Sequence, residues 1–353
     1  MAGGGAAQRR QSGVTEIPPG SRRRALLAAA GGSAALVSAY GRLRAQEVAW
    51  PTRPLRLLVP FPPAGTTDIT GRIAAEMLGP RLGQPVVIEN RAGATGNIGS
   101  EAVARAEADG YTLLLCTIST ASINYALWGA RMPVKPEDFA AVALLIRVPN
   151  VVFVPASSPF RTVAELVAAA KGKPGALNYG SSGSGGSPHM TMEMLKLRTG
   201  ADIAHVPFRG AGPMLVETMA GRLDAGCDNM PSCIGHIRDR RLKALAVSSA
   251  RRAPSLPDVP TMAEAGVPDF EATAWFGVQA PARTPASVVA RLGTELDAVT
   301  RDPAYRSRIA ELGGDPPGLT PEGGTTPAAF DVFIRAEIAK WAEVVRISGA
   351  KVD

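Results

Sequence analysis

Leu55-Arg56-Leu57-Leu58-Val59-Pro60-Phe61-Pro62-Pro63-Ala64-Gly65-Thr66-Thr67-Asp68 is the stretch whose reading decides the fold. An apolar run of strand character, 55–59, stops at prolines, passes a small-residue turn at Ala64-Gly65, and opens at Thr66 or Asp68 into a helix over 69–78. The first-turn N–H groups of a helix have no intrahelical partner and lie at the positive end of its dipole. Ala64 and Gly65 carry too little side chain to hold an anion away from them. The junction reads either as an anion cradle, with Gly65 supplying a positive φ, or as an ordinary strand-to-helix turn capped by Asp68.

Outward from that stretch, strands over 86–89 and 112–117 alternate with helices over 69–78 and 100–106. This βαβαβ pattern favours a parallel sheet whose loops gather at one edge, where ligands bind. The second loop, Asn90 to Gly99, is glycine-rich, and the third, Cys116 to Ala121, is rich in Ser and Thr. Two β-type runs, 142–146 and 150–154, follow with Pro149 between them, and then a second α/β series. It comprises a helix over 162–171 capped by Thr162, strands over 177–179, 203–207, 223–228 and 243–247, and helices over 188–197 and 213–219. After Pro254, Pro257 and Pro260 come an apolar run over 273–278 and three helices. The last, 327–345, sets Phe330, Ile334, Ile338, Trp341 and Val345 on one face. Terminal helices that return to the first unit imply two crossings, at 147–155 and near 251–260, and hence a two-lobed clamp with a hinge. The loop 178–189, with Gly183, Gly185, Gly186 and Pro188 before a helix, repeats the first cradle or is a flexible linker. His189 reads as a helix-start hydrogen-bond partner rather than a catalyst, and Arg209 either meets a carboxylate or faces solvent.

The 353 residues allow one large or two medium domains. The net charge of +7 is local: seven arginines against Glu16 give residues 1–45 a charge of +6, leaving +1 for the rest. Charge therefore makes no case for nucleic acid. Ser21-Arg22-Arg23-Arg24-Ala25-Leu26-Leu27 resembles the twin-arginine export pattern, with Ala25 where an aromatic is usual and Leu27 where lysine is common. The apolar stretch 25–39 falls short of the roughly 20 residues a stable span requires, so no stable membrane insertion is expected. Cleavage is expected near Ala45. In an exported chain Cys227, in an expected strand, and Cys233, at a helix start, are candidates to pair. His189, His205 and His236 sit at no recognised metal-ligand spacing.

Catalytic patterns are missing: Ser182 does not lie in G-x-S-x-G, Gly183-Ser184-Gly185 leads to Pro188 instead of completing a dinucleotide fingerprint, and no phosphate-binding P-loop occurs. The loops supply hydrogen-bond donors and few titratable groups, which suits reversible capture of carboxylates.

The constellation resembles the periplasmic substrate-binding proteins of tripartite tricarboxylate transporters, the Bug or TctC-like receptors. The resemblance rests on Pro60 to Asp68, Asn90-Arg91 with Gly96-Asn97-Ile98-Gly99, and Asp109-Gly110-Tyr111-Thr112-Leu113-Leu114. It extends to Tyr179 to Gly185, Val206-Pro207-Phe208-Arg209-Gly210, and Pro257-Asp258-Val259-Pro260-Thr261. It implies an α/β, two-lobed periplasmic binding fold of type II character with a sheet in each lobe and a two-crossing hinge. Residues 1–45 are then the export signal, 46–149 and 254–353 the first lobe, and 150–253 the second. The implied function is periplasmic capture of a small di- or tricarboxylate, acidic amino acid or aromatic acid, without catalysis or cofactor, by a monomer serving membrane permease subunits. A sensor for a membrane kinase and a periplasmic hydrolase or isomerase are the alternatives. Carried over by motif, the ligand-binding candidates are Phe61, Ala64, Gly65, Thr66, Thr67 and Asp68 in the first loop, then Thr117, Ser119, Ser181, Ser182, Ser184, His189, Phe208 and Asp228. The family usually has Gly at Ala64, Tyr at Phe208, Lys at Arg209 and a smaller residue or Tyr at Trp128.

Overall fold

The computed structural model describes residues 50–350 together with residues 1, 3 and 4. The expected export signal and its cleavage near Ala45 fall outside them. The apolar runs of the first series form parallel strands β1 (Leu55–Val59), β2 (Val86–Asn90) and β3 (Thr112–Thr117). Those of the second form β5 (Leu177–Ser181), β6 (Ile203–Pro207) and β7 (Ala225–Asn229), again parallel. Between the series runs one long strand, β4 (Phe139–Pro155), with β8 (Leu242–Val247) and β9 (Thr273–Pro281) antiparallel to it. The sheet order is β2-β1-β3-β9-β4-β7-β5-β6, with β8 beside β4. Two parallel trios thus flank antiparallel strands.

The break expected at Pro149 does not occur. β4 pairs β9 from Phe139 to Pro149 and then changes partners, pairing β7 from Asn150 and β8 from Val151. Proline has no N–H to give a ladder, and here it stands where one ladder ends and the next begins. The return crossing lies later than 254. Ala253 and Leu256 belong to the apolar core that Met214, Leu215, Leu223 and Met230 form under the second sheet. Met262 N–H donates to the Val247 carbonyl at 3.0 Å, so the chain stays with that sheet until Thr273 pairs Pro149.

Asn150 ties the crossings together. Its side-chain amide donates to Thr191 Oγ1 (2.8 Å) and to the Ala272 carbonyl (3.2 Å), and its Oδ1 accepts from Asn229 Nδ2 (2.6 Å). Its backbone N–H donates to Ser248 Oγ at 2.8 Å, whose hydroxyl in turn donates to Ala272 O. Asn150 is fully buried. Asn150→Ala should lower stability by about 2–3 kcal/mol in a urea melt, because it leaves buried polar partners unmet.

The helices are α1 (Thr66–Leu82), α2 (Asn97–Ala104), a short α3 (Asn124–Trp128), α4 (Val163–Gly172), α5 (Ser187–Thr199), α6 (Ala211–Met219), α7 (Met230–Arg238), α8 (Ala286–Arg301), α9 (Pro303–Glu311) and α10 (Pro327–Ser348). α10 packs on β4 and on the helical turn Ser119–Ile123. Phe330, Ile334 and Trp341 are buried as its pattern predicts, whereas Ile338 and Val345 are half-buried. Glu337 takes a place in the buried stripe, accepting from Trp275 Nε1 (2.9 Å) and Trp341 Nε1 (3.1 Å). Cys116, Cys227 and Cys233 are free, buried thiols, so the candidate pairing of Cys227 with Cys233 does not form. No described helix is long and apolar enough to cross a membrane.

Candidate functional site

Parallel strands of both lobes carry their carboxyl-terminal loops to one place. There a cavity of about 50 Å³ is lined by Phe61, Gly65, Thr66 and Thr67 after β1, Thr95 after β2, and Thr117 and Ser119 at the end of β3. Facing them are Ser182, Gly183, Gly186 and Ser187 after β5, Gly210 and Ala211 after β6, Asp228 and Asn229 at the end of β7, and Phe276 of β9. This is the crevice at the strand ends where open α/β sheets hold ligands. Among the described residues no Lys, Arg or His lines it, and Asp228 is its one ionisable side chain.

Four helices begin at this cavity, with N-caps Gly65 (α1), Gly186 (α5), Gly210 (α6) and Asn229 (α7), and none of the four starts receives a side-chain cap. Elsewhere the chain caps α4 with Thr162, α9 with Asp302 and α10 with Thr326, each side chain accepting from a first-turn N–H, while α2, α3 and α8 also start without a side-chain cap. A helix start left without a cap keeps its N–H groups for a ligand.

The candidate residues divide. Phe61, Gly65, Thr66, Thr67, Thr117, Ser119, Ser182 and Asp228 line the cavity; Ala64, Asp68, Ser181, Ser184, His189 and Phe208 do not. Asp68 is a strut. Its side chain is 5% exposed and accepts from Ala64 N–H (3.0 Å), Arg72 Nε and Nη2 (2.9 and 3.0 Å) and Asn90 Nδ2 (3.0 Å). Burial opposes its ionisation, but hydrogen bonds from Arg72, Ala64 and Asn90 hold its pKa below the ordinary value. Asn90 also donates to the Phe61 carbonyl at 3.1 Å, fixing the loop from behind. Gly65 does not have the expected positive φ: its φ is −81°, and the left-handed residue is Ala64, at 66°. Ala64 is exposed and so does not narrow the cavity. Glycine adopts that backbone more readily than alanine, by about 1 kcal/mol.

Ser181 ends β5 facing away from its neighbour Ser182, as alternate strand residues do. Its Oγ lies 2.7 Å from His205 Nε2 and donates to Gly183 O at 3.2 Å. His189 Nδ1 accepts from Gly185 N–H (2.9 Å), a helix-start role, and its ring stacks on His205 at 4.1 Å. Burial first, then His189 and Lys196, push His205 down to about 3. Phe208 packs against the second lobe's apolar core. Arg209 is exposed and outside the cavity, and Trp128 ends α3 with Arg131 over its ring at 5.6 Å.

Thr95 is a contact that sequence reasoning passes over. Its hydroxyl donates to the Ser184 carbonyl at 2.6 Å, joining the loop after β2 to the loop after β5 across the cavity mouth. Thr95→Val should weaken ligand binding two- to tenfold in calorimetry by removing a hydrogen bond of about 0.5–1.5 kcal/mol that holds the two loops together.

Two sheet-bearing lobes meeting at a cavity lined by helix starts define a solute receptor of the periplasmic-binding type, and known proteins of that type share the fold. A solved structure from R. palustris with adipate superposes with a TM-score of 0.81 at 38% identity, covering 86% of this chain and all of that one. MatC from Rhodopseudomonas palustris with bound malate gives 0.78 at 31% identity, over 84% of this chain and 100% of that one. Protein BugT of Bordetella pertussis is 39% identical over 306 residues, 86% of this chain and 91% of BugT. The family described as Tripartite tricarboxylate transporter family receptor matches residues 70–348. The chain belongs to that receptor family.

Proposed function

We propose that this chain is an exported periplasmic receptor that captures a small carboxylic acid between its lobes and passes it, unmodified, to the permease subunits of a tripartite transporter. The observation that carries this reading is the set of four uncapped helix starts around one cavity without a basic side chain. Aligned N–H dipoles and hydroxyls bind a carboxylate without the tight ion pair that would slow its release. Relatives solved with adipate and with malate fit the same chemistry.

In this reading Thr66, Thr67 and the first-turn N–H groups of α1 meet one carboxylate, while Ser182, Ser187 and the starts of α5 and α6 meet the rest. A hydrolase or isomerase would need a base in the cavity, and the one ionisable candidate there is Asp228, 3.3 Å from Ser182 Oγ. Mass spectrometry of small molecules released from natively purified protein tests the proposal. The expected result is a carboxylic acid that returns unchanged after prolonged incubation with the protein; a chemically altered acid would point to catalysis instead.

A further inference from the structure

A cavity read as a seat for acids has, as its one ionisable wall, another acid. Asp228 is 2% exposed at the end of β7. Its two oxygens are not equivalent. Oδ1 accepts from the Asn229 N–H at 2.8 Å and from Ser182 Oγ at 3.3 Å. Oδ2 is buried with no hydrogen-bond partner among the described residues. A carboxylate would want donors on both oxygens, and an unmet charged oxygen buried from water is costly. A neutral carboxyl group wants what is found: acceptance on one oxygen and a free O–H on the other.

We propose that Asp228 works as a neutral carboxyl group whose Oδ2–H donates a hydrogen bond to a carboxylate of the ligand, so that capture of the acid takes up one proton from solvent. The inference rests on the carboxylate reading above and deepens it. No covalent bond to the ligand forms: the proton joins Oδ2 from water when the ligand arrives and returns to water when it leaves. Without it, two anions would face each other in one cavity.

The neighbours supply no compensating charge. On β4, Val151 lies opposite Asp228, and residues 150–154 carry no ionisable side chain. β7 itself adds Cys227 and α7 adds Cys233, both held as thiols by burial. β5 adds Tyr179, also held protonated by burial, and the loop after it adds the neutral Ser182. Burial pushes the Asp228 carboxyl up to about 6 even in the empty cavity, against the opposing pull of hydrogen bonds from the Asn229 N–H and the Ser232 and Ser182 hydroxyls. The ligand's own charge pushes it further the same way.

Calorimetry with succinate, malate, citrate, adipate and benzoate, from pH 5.5 to 8.5 in buffers of different protonation enthalpy, tests this. For the acids that bind, uptake should approach one proton at pH 8 and fall toward zero at pH 5.5, and affinity should fall about tenfold per pH unit above 7. Asp228→Asn supplies an amide donor at every pH. It should abolish the uptake and the pH dependence and bind at least tenfold more tightly than the unaltered chain at pH 8. Asp228→Ala should bind more weakly at pH 5.5, with circular dichroism confirming that it is folded. Binding without proton uptake and without pH dependence overturns the proposal while leaving the carboxylate reading intact. Affinity for malate alone that rises with pH also overturns it, since Asp228 would then be accepting from the ligand hydroxyl. A folded chain that binds none of the five acids even at pH 5.5 overturns the carboxylate reading and this proposal together.

Discussion

Gly65→Val should lower affinity for the acid at least a hundredfold while lowering the melting temperature by only a few degrees, the cost of a poorer N-cap. Gly65 is the N-cap of α1 at φ −81°, ψ 168°, an extended backbone that a β-branched residue accepts without strain. A Cβ built there meets no heavy atom closer than the Pro62 carbonyl, at 3.8 Å, so the fold has room for it. The cavity does not: two methyl groups beside the first turn of α1 would keep a carboxylate from the N–H groups it needs. A hundredfold loss corresponds to about 2.7 kcal/mol, the scale of two charge-assisted hydrogen bonds. Thermal melts and calorimetry on the same sample separate the two effects. A variant that melted well below the parent would show that position 65 serves the fold and not the ligand.

Asp68→Ala should have the opposite signature, a large loss of stability. Removing the carboxylate strands the Ala64 N–H and one of the two N–H groups of Asn90 Nδ2, the other still reaching the Phe61 carbonyl, and frees Arg72 from its two-point contact. Two orphaned donors at about 1–3 kcal/mol each suggest about 3–4 kcal/mol in total. Asp68→Asn is not neutral either, because its amide NH₂ would face groups that are all donors. The pH dependence has a definite sign. The folded-state pKa of Asp68 lies below its unfolded value, so its contribution is fully present above the ordinary carboxylate range and is lost as pH falls through the folded value. Urea melts at pH 7 and below pH 4 should show the parent losing part of its advantage over Asp68→Ala in acid; an equal gap at both would contradict the strut.

These two neighbours show what the sequence could reveal and what it could not. The β1–turn–α1 junction was legible because prolines, glycine and threonines punctuate an apolar run, and the same grammar located the loop after β5. The division of labour inside each loop was not. Ser181 and Ser182 are chemically identical, and only strand alternation sends one to His205 and the other to the cavity. Asp68 resembles a cleft acid in sequence, while the partners that withdraw it, Arg72 and Asn90, are set by folding. The start of α7 had only a hint near Cys233, so Asn229 was missed. The helix expected over 213–219 starts two residues earlier, at Ala211, with Gly210 on the cavity. Asn150 reads as one polar residue in an apolar strand, and its importance appears only once Ser248, Ala272 and Asn229 converge on it.

In the proposed binding mode, backbone N–H groups at uncapped helix starts, not a basic side chain, hold the ligand's carboxylate. A crystal structure of the complex with the tightest-binding acid tests it most directly. The account predicts carboxylate oxygens about 2.7–3.1 Å from first-turn N–H groups of α1 and of α5 or α6, with Arg209 remaining in solvent. A carboxylate paired with the Arg209 guanidinium, or lying away from the helix starts, would contradict it.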